Sequence, residues 1–254
     1  MRTEDISDFE IEEARKVLKD HTVNPLNKEG AFESLLYCIA SQALPWERAS
    51  DFIYALRNGS EGKYASWNKS TNSLFVNQIA EEMNLRFSHN RRFDSSIDYF
   101  KGKEDNWWEG VRDADSKTRN FYFDTLKWVG YKTFSFWHLC LGGTNLMALD
   151  VHVLRGLSEL GVLMDEHYYI PKPRVKGDQE VRKTPSKREY VRIENDAKKI
   201  FSSDRRFLLD NGEVDMALIG SSLWWKGARR GKIDQLSLFG RDTWYLPYSS
   251  SKES

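Results

Sequence analysis

Residues 116–157 read SKTRNFYFDTLKWVGYKTFSFWHLCLGGTNLMALDVHVLRGL, and this stretch decides the fold. An amphipathic helix over 116–127 runs into a tight turn, Trp128-Val129-Gly130-Tyr131, and a second helix begins at Lys132. Gly130 lets the backbone enter positive φ or come close to a ligand. The first turn of the second helix presents N–H groups without intrahelical partners, which suit a phosphate. Eighteen residues after Lys132 the apolar run LMAL ends in Asp150, and a third helix over 151–160 follows. An aspartate there is an N-cap worth about 1 kcal/mol. Lys132 alone is a surface lysine on a first helical turn, where the helix dipole mildly disfavours a cation. Taken together, with the hairpin between two helices just before the lysine, they are a candidate amine and carboxylate for one reaction.

Helical periodicity continues on both sides. Phe32, Leu35, Leu36, Ile39 and Ala40 share one face of residues 30–43. Pro45 opens a helix with Ala49, Phe52, Ile53 and Leu56 inward, closed by Asn58-Gly59. Further helices are predicted over 74–83, 92–100, 132–141, 187–201 and 214–226. Alternating Val/Ile/Thr stretches are almost absent, so the reading is an all-α protein. Residues 164–186 hold Pro171, Pro173, Gly177 and Pro185 without a period, and read as a basic insertion between helices.

At 254 residues the chain has room for one or two domains and needs no metal or disulfide to hold a core. Lys+Arg and Asp+Glu both number 38, which removes any global electrostatic argument. Locally the charge is uneven: residues 172–199 carry ten basic and five acidic side chains, and KGARRGK at 226–232 carries four basic and none acidic. Two basic clusters in the C-terminal half favour a nucleic-acid partner. No apolar run approaches the roughly 20 residues of a membrane span, and the acidic N-terminus lacks a signal-peptide core. The two cysteines, Cys38 and Cys140, cannot make a four-cysteine cluster and suit a reducing compartment. The expectation is a cytoplasmic, nucleoid-associated monomer. The histidines show no metal-ligand spacing, and no Ser/His/Asp or Cys/His arrangement is present.

On these residues the sequence resembles the helix-hairpin-helix (HhH-GPD) DNA glycosylases, and within them the 8-oxoguanine DNA glycosylase/AP lyases. The family hairpin runs roughly L-P-G-V-G-x-K-T-A; residues 126–134 read LKWVGYKTF. The family's catalytic lysine falls on Lys132, and its aspartate, followed by a helix, falls on Asp150 in LDVHVLR. LLYCIASQA at 35–43 resembles the family's first core helix. The likeness spans about 30–232. It implies a double-stranded DNA cleft between two lobes, with backbone contacts at Val129, Gly130, Tyr131, His152 and Arg155. It also implies a monovalent or divalent cation at the hairpin backbone, which Lys127 and Trp128 would perturb by replacing the family's proline and first glycine. No cofactor is expected, because the cysteines of the iron–sulfur branches are absent.

The chemistry implied is base flipping, excision through a lysine Schiff base and β-elimination. A base pocket is assigned to Gln42, Trp46, Asp215, Trp224 and Trp225, since an amide reads base edges and indoles stack on a flipped base. The alternatives are a glycosylase for a bulkier modified base of phage type, and a non-catalytic helix-hairpin-helix DNA-binding module. Residues 1–234 form the core on this reading, with the hairpin at about 116–141. In the tail, 235–254, Gln235-Leu236-Ser237-Leu238-Phe239 resembles the pentapeptide that docks on the bacterial sliding clamp.

Overall fold

A computed structural model describes residues 3–23, 26–42, 44, 46–58, 73–84, 93–127, 129–162 and 185–229. Among them the chain forms eleven α-helices, two single-turn 3-10 helices and no strand. The helices are α1 (Asp8–His21), α2 (Lys28–Ala40), α3 (Trp46–Asn58), α4 (Ser73–Glu82), α5 (Asp94–Phe100), α6 (Glu109–Arg112), α7 (Ser116–Thr125), α8 (Tyr131–Cys140), α9 (Val151–Glu159), α10 (Lys187–Phe201) and α11 (Met216–Arg229). The all-α expectation holds. Periodicity missed α1, whose buried positions are few (Glu10, Ile11, Ala14 and His21), and the single turn α6. The predicted basic insertion lies outside the described residues except for its last two, and the clamp-like tail lies wholly outside them.

The chain divides into two compact units, one of Asp20–Gly143 and the other joining the segment ending at Lys19 to the stretch from Thr144. In the first unit α2 is buried from Gly30 to Ala40, so it is a core helix rather than an amphipathic one. Asn27 caps it, accepting from the Gly30 N–H at 2.8 Å. Burying Phe32, Leu35, Leu36 and Ile39 fully contributes about 1.5–3 kcal/mol each. The aromatic richness of the sequence is largely explained here. Phe100, Trp107, Tyr122, Phe134 and Trp137 form one ring cluster, with centroids as close as 4.2 Å between Phe100 and Trp107. Fully buried Trp137 donates its indole N–H to the Ala31 carbonyl at 2.9 Å, tying α8 to α2. Cys38 and Cys140 are buried free thiols with sulfurs 4.0 Å apart, and burial pushes the Cys38 thiol well above its usual range.

In the second unit α9 and α11 pack backbone against backbone through glycines. A Cβ on Gly227 would lie 2.0 Å from the His152 carbonyl oxygen, and one on Gly156 would lie 2.5 Å from that of Leu223. Arg206 fastens the ends of this unit. Its guanidinium donates to the carbonyls of Thr3 and Ile6 and to the carboxylates of Asp8 and Asp204.

Candidate active site

The hairpin joins α7 to α8. Asp115 caps α7 through Oδ1, which accepts from Lys117 N at 3.0 Å and Thr118 N at 2.9 Å. The turn ends at Gly130, the N-cap of α8, with φ −73° and ψ 174°. Of the two roles open to this glycine, positive φ is therefore excluded. Close approach remains, since a Cβ there would meet nothing within 4 Å. The helix starts at Tyr131, one residue earlier than predicted. Its first i→i−4 bond runs from Phe134 N to Gly130 O, so the N–H groups of Tyr131, Lys132 and Thr133 precede the helical ladder.

Three neighbours on α7 hold Tyr131. The Arg119 guanidinium sits 4.6 Å from its ring centroid, its hydroxyl bonds the Asn120 side-chain carbonyl, and Phe123 packs 5.2 Å away. Arg119 is fully buried and also donates to Ser135 Oγ at 3.0 Å. Val129 is buried and Gly130 half-buried. Lys132, between buried Tyr131 and Thr133, is exposed. A water-poor setting for this amine is thus not built by its own unit, because position 132 is on the solvent side of the first turn.

The described hairpin residues offer a cation only backbone carbonyls. Those of Leu126, Lys127 and Gly130 already accept hydrogen bonds from Val129 N, Ser95 Oγ and Phe134 N. Trp128 lies outside the described residues. Each of these oxygens keeps a second lone pair that a cation could use, and no step below passes through a cation.

Asp150 stands in the other unit, at the entrance to α9. It is half-buried, and Oδ1 accepts from His152 N at 2.8 Å and Val153 N at 2.9 Å, the N-cap read from the sequence. His152 meets the Trp224 ring edge to face at 5.5 Å, and Arg155 Nη1 lies 3.5 Å from His152 Nδ1. Asp150, His152, Arg155 and Trp224 are thereby gathered where α9 crosses α11. Trp225 is buried and packs 5.6 Å from Trp224. Asp215 caps α11, accepting from Leu218 N at 2.9 Å, and burial raises its carboxyl above the usual range. In the first unit Gln42 is exposed just beyond α2, and Trp46 begins α3. Sequence reading missed Arg119, and it missed Tyr190 and Glu194, which bond the segment before Asp150.

No protein-family model and no curated protein sequence matches the chain. Solved structures do. The 8-oxoguanine DNA glycosylase of Methanocaldococcus jannaschii matches with a TM-score of 0.58 and 18% identity, over 87% of each chain. The same organism's 8-oxoguanine glycosylase/lyase, in complex with a 15-mer DNA containing 8-oxoguanine, matches at 0.56 and 18% over 89% of this chain and 93% of that one. The 8-oxoguanine DNA glycosylase of Thermotoga maritima matches at 0.55 and 17% over 89% of each. The chain thus has the helical fold of the 8-oxoguanine DNA glycosylases.

Proposed function

We propose that the chain is a DNA glycosylase that excises a damaged base, 8-oxoguanine foremost, and then cuts the strand through a Lys132 Schiff base. The observation carrying this reading is the fold shared with three solved 8-oxoguanine DNA glycosylase structures, from two organisms, over 87–89% of the chain. Within that fold a lysine stands on the first turn of the second hairpin helix, and an aspartate caps the next helix. Enzymes that act on a base extrude it from the stack, at a cost of a few kcal/mol. The nucleophile must be neutral, whereas an ordinary lysine titrates near 10.4. Because Lys132 is exposed in its own unit, the bound duplex supplies the walls that exclude water from the amine.

In the reaction the Lys132 nitrogen bonds to C1′ of the sugar while the glycosidic bond breaks. The base leaves with the bonding pair and takes up a proton. Asp150 accepts a proton from the attacking amine, and its charge offsets the cation that develops on the sugar. Ring opening gives an imine; loss of a C2′ proton then expels the 3′ phosphate. The N–H groups at the start of α8 hold the DNA backbone, a role that positions the duplex without reading sequence.

Borohydride trapping on duplexes containing 8-oxoguanine tests the reading. The expected result is a covalent adduct with wild type and none with Lys132→Gln. Base release without an adduct would leave a hydrolytic glycosylase. Neither release nor adduct across a panel of damaged and bulky modified bases would leave a DNA-binding module and overturn the proposal.

A further inference from the structure

An extended buried segment still carries backbone N–H and C=O groups that need partners. Leu146, Met147 and Leu149 are buried just before Asp150, and the described residues form no strand beside them. Side chains of α10 supply the partners instead. The Tyr190 hydroxyl accepts from Leu149 N at 2.7 Å and donates to Met147 O at 2.9 Å. Glu194 Oε1 accepts from Met147 N at 3.0 Å. Both side chains are buried.

The spacing explains the fit. Positions 190 and 194 share one helix face, separated by about 6 Å of helical rise. In an extended chain the backbone groups of residues 147 and 149 point to the same side, about 6.6 Å apart. One face of α10 therefore does the work of a missing neighbouring strand. The next residue is Asp150, whose Oδ1 must reach the N–H groups of His152 and Val153 from that fixed peptide.

The geometry points to Tyr190 and Glu194 as positioning residues for the Asp150 carboxylate. They fix the peptides leading into the cap, and so the place from which the carboxylate acts. The catalytic consequence rests on the role given to Asp150 above; the structural consequence does not.

Hydrogen exchange on the full chain without DNA tests the structural consequence. In wild type the amides of Met147, Leu149, His152 and Val153 open together, with one dependence on denaturant. Tyr190→Phe and Glu194→Ala speed exchange at His152 and Val153 about tenfold, while Glu194→Gln, which keeps an acceptor, stays within about twofold. In single-turnover excision from an 8-oxoguanine duplex the first two variants lose about tenfold in rate at unchanged DNA affinity, and Glu194→Gln restores it. Folded variants whose cap amides exchange as in wild type overturn the inference. If both disruptive variants fail to fold, wild type alone decides: Met147 and Leu149 opening while His152 and Val153 stay closed overturns it. A wild type that excises nothing defeats the glycosylase reading and leaves the exchange result standing on its own.

Discussion

Replacing Gly227 with alanine asks how tightly α9 and α11 are bound together. The new Cβ would lie 2.0 Å from the His152 carbonyl oxygen, 2.9 Å from its carbon and 3.0 Å from Gly156 N. All three are backbone atoms, so no rotamer change relieves the clash. The helices must part by about 1 Å to bring the shortest contact to a tolerable distance. Overpacking costs about 1–3 kcal/mol, and a rigid neighbour places this site near the upper end. The better helix propensity of alanine returns about 0.5–1 kcal/mol. The net loss is about 2 kcal/mol, which lowers Tm by about 4–8 °C in a chain of this size. Calorimetry of the purified variant reads this directly. Gly156→Ala perturbs the same crossing through Leu223 O, so the double variant should lose less than the sum of the two. A Gly227→Ala protein melting at or above wild type would refute the backbone-to-backbone packing.

Gly130→Ala is the matching control: its φ of −73° suits alanine and no atom lies near the new methyl, so Tm should move by less than about 2 °C. On the proposed function the methyl would stand where the hairpin holds the duplex backbone, so DNA affinity, read by fluorescence anisotropy, should fall; unchanged affinity would remove the hairpin from the proposed interface. Arg206 holds the Asp204 carboxyl down to about 2, mainly through their side-chain hydrogen bond. A depressed folded value means this stability is complete above about pH 4 and fades as the pH falls toward 2, a loss of about 1–2 kcal/mol for this half-buried carboxylate beside a partly exposed guanidinium. Asp204→Asn should flatten that part of the acid-unfolding curve; superimposable curves would contradict the pairing. For the tail, replacing Leu238 and Phe239 by alanine should abolish capture by a bacterial sliding clamp in a pull-down while excision is unchanged, and retained capture would dispose of the motif.

The helices were most legible where period and punctuation coincide. Residues 187–201 were bounded correctly because polar and apolar positions alternate at helical spacing around Tyr190, Ile193, Ala197 and Phe201. Asp150 announced its cap because an apolar run stops at it and a helical pattern starts after it. Local sequence does not reveal which side of a first turn faces water, so the pairing of Lys132 with Asp150 did not tell that the amine is exposed in its own unit. The aromatic residues were ambiguous for a related reason: an indole in a core and one awaiting a base have the same composition, and Trp137 and Trp107 prove to be packing. Arg119 carries a charge that usually marks the surface, yet it lies beneath Tyr131. Tyr190 and Glu194 did leave a trace, two polar residues on the apolar stripe of α10. Their partners lie 41–47 residues earlier, and only the folded chain brings them together.

The Arg206 fastening has a consequence for how the protein is made. Its bonds reach back 203 residues to Thr3, 200 to Ile6 and 198 to Asp8. A ribosome emitting about 5–20 residues per second releases the early segment some ten to forty seconds before the guanidinium that grips it. Throughout that interval the nascent opening segment has no such clasp. Closure of this half must await the emergence of Arg206, whereas every residue of Asp20–Gly143 has by then emerged.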